Sequence, residues 1–411
     1  MRIPTFNQFQ RQANLLSREM DKYSRLHQHT ISDNKLLNSS EDPVAAGQIK
    51  NSETTLAVLQ NYFDNSQFAK TRSGLISIST QNANNIMQSI QDAIKQAQNG
   101  TLSDGDRKSI AEQLVGQLNN LLSVANSQDP INGQYLFSGA SVQTPPYVQS
   151  NGVYQYQGSM ETVSINVAPS VSALYNESGF QVFSDIYTGN GTFTVQGAPT
   201  NQGGATLSSG VVSSPGQYIA DEYTVSFATN TAGKLVYTIS GAASGQVVPP
   251  PPGTVPDDAP VYTSGAAITF NGISVTAQGT PNVSDVFTIA PSSKENVFNS
   301  LQNVINLLKN PITNKANYEQ EMWQHAATFH QISDHLIAYQ ATAGARDESI
   351  DSQIKINQDR VLNQTIALSQ LKDPDMAKTN SEFMQESVIL QVTIQSYMKV
   401  QETLNKLLQL N

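Results

Sequence analysis

The chain is predicted to be mainly α-helical with an inserted β domain. Three observations carry this: apolar residues at helical spacing fill both ends, strand-like alternation fills the middle, and turn-forming residues mark both transitions. The same element type at both ends implies a discontinuous helical rod built from the two termini, with coiled-coil terminal helices.

At the start, Phe6, Phe9, Ala13, Leu16, Met20 and Tyr23 follow an alternating three-four spacing, with Thr30 in register. That is the seam of a coiled coil. Leu390, Ile394, Tyr397, Leu404 and Leu408 repeat the device at the other end. Together these eleven residues are the candidate assembly seam. An intramolecular helix pair and a self-assembly seam are both open readings of such stripes. A terminal arm loses about 1 to 2 kcal/mol of backbone entropy per ordered residue. Each buried apolar side chain returns roughly 1.5 to 3 kcal/mol, and only against a partner. The arms are therefore expected to order on assembly.

Two further helical periods follow: Leu75, Ile78, Ile86, Ile90 and Ala97, then Ile110, Leu114, Leu118, Leu121 and Ala125, separated at Asn99-Gly100. Ser103 offers a cap, and Asp104 and Asp106 place negative charge in the first turn of the second helix. From 145 to 291 the pattern becomes alternating and β-branched, as in Tyr223-Thr-Val-Ser-Phe227 and Leu235-Val-Tyr-Thr-Ile239. The prolines 249–252 lack amide donors and read as an exposed loop. Val297, Leu301, Val304 and Leu308 open a new helix, and another runs from Tyr318 to about Leu371 after the break at Asn310-Pro311. The predicted domains are terminal coiled-coil segments 1–38 and 376–411, a helical rod domain 39–144 and 292–375, and a β-rich outer domain 145–291.

Composition excludes several functions. A net charge of -10 disfavours nucleic acid and anionic membranes. No run approaches the roughly 18 apolar residues of a membrane span, so no membrane insertion is expected. Residues after Met1 lack the apolar stretch of a cleaved signal peptide. With no cysteine, thiol chemistry is absent. Neither catalytic nor cofactor-binding residues are predicted. The histidines 325, 330 and 335 are five apart and leave one another's helical face, so no metal site is expected. Asp104-Gly-Asp106 starts like a calcium loop, but Lys108 stands at a ligand position and no Glu closes it. Ser352-Gln-Ile-Lys355, Ser369-Gln-Leu-Lys372 and Ser32-Asp-Asn34 are in the wrong order for a penicillin-binding site. Trp323, Phe329, Ile332 and Leu336 read as helix packing, not a ligand pocket.

Five motifs carry a resemblance. Asn38-Ser-Ser-Glu41-Asp42-Pro43-Val-Ala-Ala-Gly47 follows the first helix, and Asn99-Gly-Thr-Leu-Ser-Asp-Gly-Asp-Arg107 lies between the next two. Ile131-Asn132-Gly133-Gln-Tyr135-Leu-Phe137-Ser-Gly139 comes next, and Asp373-Pro-Asp-Met-Ala-Lys378 precedes the last helix, after Gly344-Ala-Arg346. In order and spacing these resemble the bacterial flagellin family. Glu41-Asp42-Pro43 and Tyr135-Leu-Phe-Ser-Gly139 resemble its hook-filament junction members more than its filament subunits. The likeness covers both helical ends but not the β insert.

The resemblance implies a non-enzymatic, self-assembling component of the flagellum, a ring of copies between hook-associated protein 1 and flagellin. It further implies export through the flagellar type III apparatus with a dedicated chaperone, and an extracellular location. The family's receptor-recognition arginines before Asn99 are replaced here by Ser89, Gln91 and Lys95. A filament flagellin is the alternative within that class. A secreted host-binding adhesin, acting through the β insert, is the alternative outside it.

Overall fold

The computed structural model describes residues 2–32 and 34–409; the side chains of residues 1–6, 404 and 407–411 lie outside the described ones. About half of the chain is helical, and the strands of the described residues lie within 147–295. The helices are α1 (Arg2–Ser32), α2 (Pro43–Ala97), α3 (Asp104–Ala125), α4 (Gly179–Phe183), α5 (Val297–Lys309), α6 (Lys315–Lys372) and α7 (Met376–Gln409). The chain forms two compact units, one of residues 1–65 with 353–411 and one of residues 66–352, divided within α2 and α6.

Helix starts follow local chemistry. Ser103 and Asp106 form a reciprocal capping box on α3, satisfying two amides that the first turn leaves without helical partners. Asp42 Oδ1 accepts the amides of Val44 and Ala45 at 3.1 and 2.9 Å, with Pro43 as the first residue of α2. Asn296 caps α5 through the Asn299 amide, Asn314 Oδ1 accepts the Ala316 amide at 2.8 Å near the start of α6, and Asp375 accepts the Lys378 amide at 3.1 Å in α7.

In the larger unit, one apolar core draws on four helices. Ile90, Ala93 and Ile94 of α2, Leu114, Leu118 and Leu121 of α3, Leu301 and Val304 of α5, and Met322 and Phe329 of α6 are all buried in it. Ile110 and Ala125 join them as expected, whereas Ile78 is 62% exposed. Ile76, two positions earlier, is buried instead, because two residues turn a helix by about 200°. The first strand segments and α4 also belong to this core: Tyr147, Tyr154 and Phe183 of α4 pack with Phe298 of α5.

A second core lies between two sheets. The five-stranded sheet orders Gly245–Val248, Leu235–Gly241, Tyr223–Thr229, Val286–Pro291 and Phe193–Gly197, each neighbour antiparallel. The other sheet places Ile273–Gln278 between Ala267–Phe270 and Thr206–Leu207, with Val211–Val212 also paired to it. Alternate residues of each strand point to the common core, as Tyr223, Val225 and Phe227 do. Asn271-Gly272 turns one hairpin with both residues at positive φ (41 and 77°), the conformation that two-residue turns favour and glycine tolerates. The proline run ends a strand at Val248 as expected, but Pro249 is buried; only Pro250, Pro251 and Pro252 are exposed. Its ring follows directly on a paired strand residue, which holds it against the sheet.

Candidate assembly surface

In the smaller unit α1 and α7 form an antiparallel pair. Phe9 meets Tyr397 at 5.3 Å between ring centroids, and Tyr23 meets Phe383 at 5.1 Å, so residue numbers rise along one helix as they fall along the other. His27 joins Phe383 at 5.7 Å. Of the predicted seam, Phe9, Ala13, Leu16, Tyr23, Leu390 and Tyr397 are half-buried, while Met20 and Ile394 are exposed at 54% and 38%. The side chains of Phe6, Leu404 and Leu408 lie outside the described ones. The stripes thus meet each other within one chain, the intramolecular arrangement that the sequence had left open.

The most enclosed positions of this pair are polar. Glu19, Glu386 and Thr393 are only 8% exposed each. Thr393 satisfies its hydroxyl on the Ile389 carbonyl at 2.8 Å. Glu386, beside Glu19, is held above the ordinary carboxylate range by that neighbour and by burial; Glu19 is held below it by hydrogen bonds from Glu386 and Lys22. Two adjacent carboxylates cannot both ionise cheaply, so one of them retains a proton into a higher pH range. Apolar periodicity could not reveal this pair. The signal available was a Glu inside each stripe.

The outer side of α7 is also apolar. Met384, Val388 and Val392 follow one another at four-residue steps, 66%, 59% and 59% exposed. Four-residue steps advance only about 40° around a helix, so the three make one ridge roughly opposite the face that meets α1. Exposed Met398 and Ile389 flank it. A helix apolar on opposite faces is one built to be covered on both.

The motif residues do structural work. Asn38, Glu41, Asp42 and Pro43 make the turn into α2: the Asn38 carbonyl accepts the Glu41 amide at 3.1 Å, and Glu41 accepts the Leu37 amide at 3.0 Å. In the larger unit, Asn132 accepts the Gln134 amide at 2.9 Å, and Gly133 turns at φ 68°. Both belong to a loop tied to a buried polar knot. Arg72 Nη1 donates to Asp129 at 2.9 Å, and its Nη2 donates to the Tyr135 carbonyl and to Asn176, at 3.0 and 2.9 Å. Asn176 in turn donates to the Gly139 carbonyl, and Arg346 pairs with buried Glu177. Burial pushes the Asp129 carboxyl up, but the Ile131 amide and Arg72 outweigh it and hold the group below its usual range. Gly139 sits at φ 58° against the Ser159 carbonyl, where no side chain fits. Phe137 is buried edge-on to Phe183, at 5.4 Å and 78°. Of the knot's members, Tyr135, Gly139 and Arg346 lay in motifs noted in the sequence, whereas Arg72, Asp129, Asn176 and Glu177 did not.

Among the described residues no group of three or more His, Cys, Asp or Glu is placed to hold a metal ion, and no helix is long and apolar enough to cross a membrane. Phe329, Ile332 and Leu336 belong to the helical core. Trp323 is half-buried.

The comparisons agree with this architecture. The flagellar hook associated protein-3 of Legionella pneumophila superimposes with a TM-score of 0.75 and 34% identity, covering 79% of this chain and 98% of that one. The chain belongs to the flagellar hook-associated protein 3 family. FlgL of Xanthomonas campestris superimposes with a TM-score of 0.70 and 25% identity, covering 77% of this chain and 99% of that one. The flagellar hook-associated protein 3 of Escherichia coli strain K12 is 29% identical over 194 residues, 45% of this chain. The chain spans 58% of the length of that curated relative. No family model matches it. As a member of this family it is a flagellar, hook-associated structural protein of motility.

Proposed function

We propose that the protein is a self-assembling adaptor at the hook-filament junction, a ring of copies seated between hook-associated protein 1 and flagellin. The observation that carries this is the second apolar ridge of α7: the α1–α7 pair uses one face of α7 and leaves Met384, Val388 and Val392 uncovered. Neighbouring copies supply the cover, bundling the terminal helices as coiled coils. Of the seam residues, Phe9, Ala13, Leu16, Tyr23, Leu390 and Tyr397 line each pair. The protein performs no reaction. It leaves the cell through the flagellar type III apparatus, escorted by an export chaperone.

The test is Val388→Asp with Val392→Asp in cells lacking the wild-type copy. Both positions are exposed, so the secreted variant should keep the wild-type circular dichroism spectrum. In the assembly each would bury an unpaired charge at several kcal/mol. Bare hooks and flagellin monomers in the medium are expected; normal filaments would overturn the reading. Quantifying copies per flagellum separates a junction ring from a filament subunit, since a ring needs about one lattice turn.

A further inference from the structure

α1 carries a surface that neither the pairing with α7 nor the α7 ridge uses. Arg11, Arg18 and Arg25 repeat at seven-residue intervals, and all three are exposed. None has a hydrogen bond or ion pair among the described residues; the ion pair of α1 is Lys22 with Glu19, at 3.2 Å. Lys22 lies on the same side, three or four residues from two of the arginines. The helix holds five Lys and Arg against two carboxylates, in a chain of net charge -10. The concentration of positive charge is therefore local.

The spacing is informative. Seven residues advance about 10 Å along a helix and drift only about 20° around it, so the three guanidinium groups form a nearly straight row about 21 Å long. Evenly spaced cations of that pitch match a second helix whose carboxylates recur at the same interval and which winds left-handed along α1. Nowhere in this chain do three carboxylates stand at successive seven-residue intervals, so one of its own helices does not provide the matching row. A helix carrying the matching row would therefore belong to a different protein.

We infer that the Arg11, Arg18 and Arg25 row is a docking surface for an acidic helix of a second protein, with carboxylates at seven-residue intervals. The inference stands on the charge and spacing of α1 and does not depend on the junction role. Each arginine meets one carboxylate per heptad, and Leu15, 43% exposed between them, gives the partner an apolar foothold.

The experiment uses the full chain and two fluorescent four-heptad helical peptides of identical composition. One has Glu at one position of every heptad; the other has the same residues with the Glu scattered around the helix. The first should bind about tenfold tighter than the second, as expected for three modest ion pairs acting together. Arg11→Gln, Arg18→Gln and Arg25→Gln combined should remove that preference while leaving circular dichroism unchanged. Raising salt to about 1 M, where screening extends only about 3 Å, should also remove it. Equal affinity for both peptides, no binding of either, or full binding by the triple variant would overturn the inference. So would a variant effect confined to self-association or to capture on anionic vesicles, because the row would then serve a copy of the chain or a lipid surface.

Discussion

The unit of residues 66–352 and the terminal unit solve the burial problem differently. The larger one closes on itself: Leu114, Leu121, Phe298 and Leu301 are fully enclosed, and even its cations Arg72 and Arg107 are no more than 2% exposed. In the terminal unit no large apolar side chain among the described residues is buried, Met384 and Val388 are more than half exposed, and the most enclosed positions of the α1–α7 pair are Glu19, Glu386 and Thr393. A finished core tolerates nothing missing, whereas an unfinished surface keeps binding energy in reserve for a partner. Substitutions should accordingly cost most in the first region and least in the second.

The largest effect is expected at the polar knot. Arg72→Ala strands the buried Asp129 carboxylate and should cost about 3 to 5 kcal/mol in urea unfolding. Adding Asp129→Leu should recover much of that loss, since no unpaired charge then remains. The folded state depresses the Asp129 carboxyl, so its contribution is full above the unfolded value of about 3.8 and is lost as pH falls through the folded one. The double variant should lose this part of the acid sensitivity. No recovery in the double variant would show that packing, not charge, holds this region.

Next comes Gly139→Ala. A Cβ there meets the Ser159 carbonyl at a positive φ, and a loss of about 1 to 3 kcal/mol in thermal unfolding is expected. Asp42→Ala, in the terminal unit, removes the cap of α2 and should cost about 1 kcal/mol, seen as faster amide exchange in the first turn of that helix alone. If instead it destabilised the whole protein, the contrast between the two units would fail.

The smallest change is Glu386→Gln, and its sign is informative. Glu386 is raised in the folded pair, so its stabilisation is present at low pH and is lost as pH rises through its folded value. Glu19 is lowered, so its share is present above the ordinary value and lost as pH falls. The α1–α7 pair should therefore be firmest near pH 4.5, the ordinary value of both groups, and loosen toward neutrality. Glu386→Gln removes the like charge and should raise amide-exchange protection of α1 at pH 7. Unchanged protection would mean that the two carboxylates do not meet.

Much of the fold was readable from local chemistry. The Ser103 cap, the Asp42-Pro43 start, the Asn99-Gly100 break and the strand alternation at 223–239 depend on residues within a few positions of each other. The stripe at Ile110, Leu114, Leu118 and Leu121 was readable for the same reason: a 3.6-residue period names the buried face without reference to its partner. Ile78 misled because the stripe on α2 passes through Ile76 and Met87, a choice set by the helices it packs against.

The partners of each face were beyond such reading. Arg72 meets Asp129 and Asn176 across 57 and 104 residues, and nothing near Arg72 in the chain announces either. Periodicity found a ridge at each end but not that α1 and α7 close on each other, nor that Glu19 and Glu386 sit at their meeting point. Local sequence dictates which groups need burial or a hydrogen-bond partner, because those needs arise from the side chain and its nearest neighbours. Only the folded chain decides which distant group answers them, because that choice depends on the packing of all the elements together.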